Sequence, residues 1–199
     1  MAPSSWPEPD LDALCALADL GVRAGLVGRR HPEVDPPTLR PALRKRCGVF
    51  VTLEVSGRLN GCIGTIEAVE PLGVAVPRLA WAAAFADPRL PELTADDYQS
   101  LDIKLSLMDP LEPLPASSEA ELAGALRPGV DGLLIRAGSA QATFLPAVWD
   151  KVPDPLVFLR RLQAKAGLGP GRWPADLRAW RYTATEYRRR ATDIAVTAR

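Results

Sequence analysis

From Val49 the chain alternates apolar and polar residues through VFVTLEV, reaches Ser56-Gly57, and resumes in RLNGCIGTI. A period of two on both sides of a turn dipeptide predicts a β-hairpin. Asn60-Gly61 is a rival turn with the stronger dipeptide signal. It would place Gly57 inside a strand and leave strand ends of poor composition, so the turn is assigned to Ser56-Gly57. That pairing sets Cys62 opposite Val51, Asn60 opposite Leu53 and Gly64 opposite Val49.

Elsewhere the apolar spacing changes to that of helices. DLDALCALADLGVRAGLVG predicts a helix capped by Asp10, with Leu11, Leu14, Cys15, Ala18 and Val22 on one side. PRLAWAAAFA predicts another, with Pro77 in its first turn. TADDYQS opens like a capping box at Thr94 and Asp97, and DIKLSLM alternates as a strand. SSEAELAGAL repeats the helix-start pattern at Ser118 and Glu121. GLLIRAGSAQATFLP predicts a second hairpin turning near Gly138-Ser139. DPLVFLRRLQAKAGLG predicts a helix closed by Gly167 or Gly169, and LRAWRYTATEY one closing strand. Hairpin, helix and strand thus occur twice, which predicts an α+β fold built from a duplicated unit with a mixed or antiparallel sheet. Residues 1–9 are expected to form a disordered leader, 10–187 a single domain, and 188–199 a basic C-terminal tail.

Composition narrows the class of function. Lys plus Arg and Asp plus Glu number 24 each, and this balance argues against binding nucleic acid through its phosphates. Twenty prolines predict many fixed turns and short elements. Three widely spaced cysteines form neither a disulfide framework nor a C-x-x-C pair, and with one histidine they predict no metal site. MAPSSWPEPD has no basic start and no apolar core of a signal peptide, and no apolar run is long enough to cross a bilayer. A cytoplasmic protein with reduced thiols, without membrane or nucleic-acid partners, is the expectation.

Taken together, GVFVTLEVSGRLNGCIGTI, AAAFADPRLPEL, LDIKLSLMDPLEPL, PGVDGLLI and ATFLPAVWDKVPDPLVFLRRLQAKAGL resemble the AMMECR domain family. The likeness is closer to its prokaryotic branch, AmmeMemoRadiSam system protein A, and runs from about Leu11 to Tyr182 in the family's order. The resemblance implies repeats around one barrel-like sheet. It also implies work alongside a Memo-type protein, similar in fold to non-haem iron dioxygenases, and a radical SAM protein, in small-molecule processing or modification. The family hallmark L-R-G-C-I-G stands here as Leu59, Asn60, Gly61, Cys62, Ile63 and Gly64, with asparagine for arginine. D-P-R-F stands as Asp87, Pro88, Arg89 and Leu90, and L-P-Q-V as Leu145, Pro146, Ala147 and Val148.

These motifs define the candidate site: a ligand or partner cleft of Asn60, Gly61, Cys62, Ile63, Gly64, Asp87 and Arg89. Cys62 is the candidate for chemistry. An aliphatic face would make it a packing residue first, a ligand-lining residue second and a nucleophile last. A nucleophile needs an activating base, and His31 lies far off in a proline-rich loop. Gly61 and Gly64 would let a ligand or backbone approach closely. Asp87 and Arg89 are read either as a pair fixing a turn or as a guanidinium aimed into the cleft. No cofactor is assigned to the chain itself. The alternative function is a non-catalytic module that docks onto the two partners. Arg44 to Arg46 and Arg188 to Arg190 are read as solvated surface, and Trp81, Trp149, Trp173 and Trp180 as core.

Overall fold

The computed structural model describes residues 6–169 and 173–194. The chain divides into two compact units, one holding residues up to Met108 together with Thr185 onward, the other Asp109 to Ala184. Where one barrel-like sheet is expected, each unit carries its own four-stranded sheet, and the paired strands are antiparallel.

The first unit begins with helix α1 (Glu8–Leu26). It starts before the expected Asp10, because Pro9 fits the first turn of a helix and Glu8 and Asp10 both favour its positive end. The leader is therefore helical from Glu8, and Met1 to Ser5 lie outside the described residues. Strands β1 (Val49–Val55) and β2 (Arg58–Thr65) form the hairpin. Ser56 and Gly57 both have positive φ, 50° and 77°, as a I′ turn requires. Helix α2 (Leu72–Phe85) starts five residues earlier than expected, so Pro77 lies inside it and removes a ladder hydrogen bond. Helix α1 packs against that point through Gly21, where a Cβ would stand 2.1 Å from the Pro77 carbonyl oxygen. A short helix α3 (Ala95–Tyr98) has the expected capping box, with Thr94 and Asp97 each bonded to the other's backbone N–H. Strand β3 (Leu101–Met108) completes the centre of the sheet, in the order β2-β1-β3-β8, where β8 is Ala184–Arg190.

Val49, Val51 and Leu53 of β1, and Ile103, Leu105 and Leu107 of β3, face α1 and α2 and are buried with Leu14, Cys15, Val76 and Leu79. Each large aliphatic side chain so buried contributes about 1.5–3 kcal/mol relative to exposure.

In the second unit strand β4 (Glu112–Pro113) and helix α4 (Glu119–Ala125) precede the hairpin of β5 (Gly132–Ala137) and β6 (Ala140–Phe144). Gly138 alone takes positive φ there, the pattern of a II′ turn. Ser118 caps α4 through the Glu121 N–H, but the Glu121 carboxylate reaches Ser117 and not the backbone of Ser118. Helix α5 (Pro155–Lys165) is capped by Asp154 and ends at Gly167. The Gly167 and Leu168 N–H groups return to Ala164 and Gln163, the Schellman pattern. Trp149 stacks on Phe158 at 3.9 Å between ring centres and donates Nε1–H to the Asp131 carbonyl. Of the four tryptophans expected in the core, Trp149 is buried; Trp81, Trp173 and Trp180 are only half-buried.

The expected single closing strand is two, β7 (Arg178–Tyr182) and β8 (Ala184–Arg190), in different sheets. The change occurs at Thr183, whose hydroxyl and carbonyl hold the Asp109 carboxylate and N–H. Asp109 is itself the break between β3 and β4, followed by a proline that cannot donate to a ladder. The second sheet runs β4-β7-β5-β6. The basic run Arg188 to Arg190 is thus a strand and no free tail. Arg188 bonds Glu54 and Asp102, and Arg189 bonds Glu8 and Asp12. Arg44 and Arg46 are also held, by the carbonyls of Leu39, Pro37 and Val69. Ala195 to Arg199 lie outside the described residues.

Candidate functional site

The hairpin register differs from expectation by one residue. Thr65, Gly64, Ile63, Cys62 and Gly61 stand opposite Val49, Phe50, Val51, Thr52 and Leu53, and the next pair is Leu59 with Glu54. Asn60 is the extra residue of a β-bulge, so the rival Asn-Gly signal marks an irregularity in the strand instead of the turn. One residue of slip exchanges the two faces of a strand. Cys62 therefore leaves the aliphatic row of Val49, Val51 and Leu53 and stands beside Thr52. It is half-buried, and the Thr52 hydroxyl donates to its sulfur at 3.2 Å.

The two glycines are filled from within. A Cβ on Gly61 would lie 1.8 Å from the Ala83 carbonyl oxygen of α2, and one on Gly64 2.2 Å from the Phe50 ring. Their lack of a side chain serves packing of the helix and of the neighbouring strand. Ile63, opposite Val51, packs against the core of the first unit.

Strand β2 is the edge of its sheet, so outward backbone groups need partners from outside the ladder. The loop after α2 supplies them. The Cys62 N–H donates to Asp87 Oδ2 at 3.0 Å, and Arg89 Nη2 donates to the Cys62 carbonyl at 2.8 Å. Arg89 also donates Nε–H to Asp87 Oδ1 at 2.8 Å, Nη2–H to Oδ2 at 2.6 Å, and its backbone N–H to Oδ1 at 3.2 Å. Asp-Pro-Arg acts as a side-chain substitute for one rung of a neighbouring strand. The Arg89 bonds, aided by the Cys62 N–H, outweigh desolvation and hold the Asp87 carboxyl well below the usual carboxylate range. The Asp87 side chain is 2% exposed while that of Arg89 is 61% exposed. One partner is locked, and the other presents its charge to solvent.

The structure thus brings Cys62, Asp87 and Arg89 into direct contact. Asn60 lies apart from their hydrogen bonds: nine-tenths buried, it donates Nδ2–H to the Pro91 carbonyl at 3.4 Å, while its Oδ1 is buried without a protein partner. His31 packs edge-on against Trp81 at 6.3 Å, bonded to Pro32 and not to Cys62. Cys15 is wholly buried, and desolvation pushes its thiol up to about 12, which makes it inert. Among the described residues no group of three His, Cys, Asp or Glu is placed to hold a metal, and no helix is long and apolar enough to cross a membrane. Thr52 is the site residue that sequence reasoning missed. It follows from the outward polar position in VFVTLEV once Asn60-Gly61 is read as a bulge.

Two four-stranded sheets with helices on each define the class as α+β, and the fold is shared with a solved structure. The crystal structure of uncharacterized protein PH0010 from Pyrococcus horikoshii is similar at a TM-score of 0.77 and 27% identity, over 88% of this chain and 89% of that one. Residues 15–187 match the AMMECR1 family, and the chain belongs to it. Relatives include a protein of Methanothermobacter thermautotrophicus, 38% identical over 162 residues, covering 79% of this chain and 82% of that protein. Another, from Thermofilum pendens, is 36% identical over 166 residues, covering 77% and 76%.

Proposed function

We propose that this chain is the AMMECR component of an AmmeMemoRadiSam-type system in the cytoplasm, working with a Memo-type protein and a radical SAM protein in small-molecule processing or modification. Its two sheet units descend, on this reading, from one duplicated unit. The working face is the outward side of β2, where Cys62 and Arg89 stand together. The observation that carries the reading is the pairing of a half-buried thiol, bonded by a hydroxyl, with an exposed guanidinium pinned beside it. Such a pair suits recognition of an anionic group, the guanidinium providing charge-assisted hydrogen bonds and the thiol a soft contact at its edge.

The internal filling of Gly61 and Gly64 favours a second reading, a docking module without chemistry of its own. The two readings separate in one experiment. Metabolites are compared in cells lacking this gene and its two partner genes, singly and together, and after complementation with Cys62→Ala. The processing reading expects the same metabolite to change in all three single deletions and Cys62→Ala to fail to restore it. Full restoration by Cys62→Ala, with loss of complex formation in the deletion as the sole defect, would leave the docking reading.

A further inference from the structure

In the second unit two arginines stand directly opposite each other on neighbouring strands, Arg136 of β5 and Arg178 of β7. Like charges in that position repel, and folded sheets ordinarily answer them with an acid. Here, among the described residues, neither arginine has an ion-pair partner. The nearest acidic residue in sequence, Asp176, spends an oxygen on the Gly138 N–H at 2.8 Å. Arg136 is further constrained: its guanidinium lies over the Trp180 ring at 5.6 Å, and its Nε–H is buried without a protein acceptor. An unsatisfied buried donor on a cation is costly to keep. Of these two unfavourable features, the opposed and unpaired charges of Arg136 and Arg178 are the one that an anion arriving from solvent relieves.

The surroundings indicate the ligand's shape. Trp180, on the same face as Arg178, is half-buried and stands opposite Pro113 of the two-residue edge strand β4. Pro113, Leu114, Pro115, Leu177, Arg178 and Trp180 line a concavity of about 380 Å³, within the range of small-molecule sites. The side chains that line it are apolar apart from the arginine, and Trp180 supplies an indole among them.

The geometry points to a binding site for a small organic anion, a carboxylate or phosphate monoester carrying a flat apolar body. The anionic group lies between Arg136 and Arg178, and the apolar body lies in the Trp180–Pro113 concavity. This site is separate from the Cys62 face and does not depend on any chemistry there. Its residues come from the second unit alone, and Cys62 belongs to the first.

Calorimetric titration of the full chain with phenyl phosphate, benzoate, inorganic phosphate and phenol tests it. Phenyl phosphate and benzoate bind; inorganic phosphate, which cannot fill the concavity, binds at least about tenfold more weakly, and neutral phenol binds no better than inorganic phosphate. Arg178→Gln weakens phenyl phosphate about tenfold or more while leaving the melting temperature of the free protein unchanged or higher, because one of two repelling charges is gone. A residue that only supported the sheet would lower that temperature. Trp180→Leu lowers affinity for phenyl phosphate but not for inorganic phosphate. Absence of phenyl phosphate binding, or binding that survives Arg178→Gln and Arg136→Gln with unchanged affinity, overturns the assignment.

Discussion

Replacing Asp87 by asparagine should loosen the edge of the first sheet by a calculable amount. The carboxylate accepts four hydrogen bonds: the Cys62 N–H, the Arg89 N–H, and Arg89 Nε–H and Nη2–H. Asparagine retains one acceptor oxygen and turns two donors toward groups that are themselves donors. Whichever way the amide lies, one backbone N–H, that of Cys62 or that of Arg89, loses its acceptor together with one guanidinium N–H, and an orphaned backbone N–H costs about 1–3 kcal/mol. The ion pair adds little more, about 1 kcal/mol, since the Arg89 side chain is 61% exposed and its charge is screened by solvent. Asp87→Asn should therefore cost about 2–4 kcal/mol in urea unfolding at neutral pH. The pH dependence has a definite sign. Asp87 has a depressed folded value, so its contribution is complete above the unfolded carboxylate value of about 3.9 and is lost as pH falls further toward the folded value. The gap between wild type and Asp87→Asn should be constant from pH 7 to about 5 and narrow only below about 4. Hydrogen exchange gives the local readout, with faster exchange in the variant at the Cys62 N–H or the Arg89 N–H, whichever loses its acceptor. A gap under about 0.5 kcal/mol, or unchanged exchange at both N–H groups, would refute the edge-clamp account.

Further consequences can be measured with the same protein. Gly61→Ala forces a Cβ against the Ala83 carbonyl and should cost about 3 kcal/mol or more, whereas Gly124→Ala, with open space around it in α4, should gain up to about 1 kcal/mol; similar melts for both would count against the packing described. In a short iodoacetamide pulse read by mass spectrometry, Cys62 and Cys47 should label ahead of Cys15, which is buried and has its thiol pushed up to about 12. Early labelling of Cys15 would mean that α1 opens easily from its sheet. Asn60→Ala should cost no more than about 1 kcal/mol, since Oδ1 has no protein partner and the Nδ2 bond to Pro91 is long; a loss several times larger would show that Asn60 carries an interaction beyond that bond.

Features decided by neighbouring residues were legible along the chain. The Ser56-Gly57 turn, the Thr94–Asp97 capping box and the end of α5 at Gly167, one of the two glycines offered there, stand where the spacing puts them. Their partners lie within a few residues, so short-range geometry fixes them. The family motifs also led to Cys62, Asp87 and Arg89 as residues worth joining. What could not be read was parity and pairing. A bulge at Asn60 moves Cys62 from the row of Val51 to the side of Thr52, although the residues of the strand are unchanged. Thr183 and Asp109 divide one alternating run between two sheets. Arg136 meets Arg178 across 42 residues of chain, a juxtaposition to which neither local sequence contributes a sign. A strand's alternation states that it has two faces; which face meets the core depends on its register with a partner distant in sequence, and one inserted residue reverses the answer.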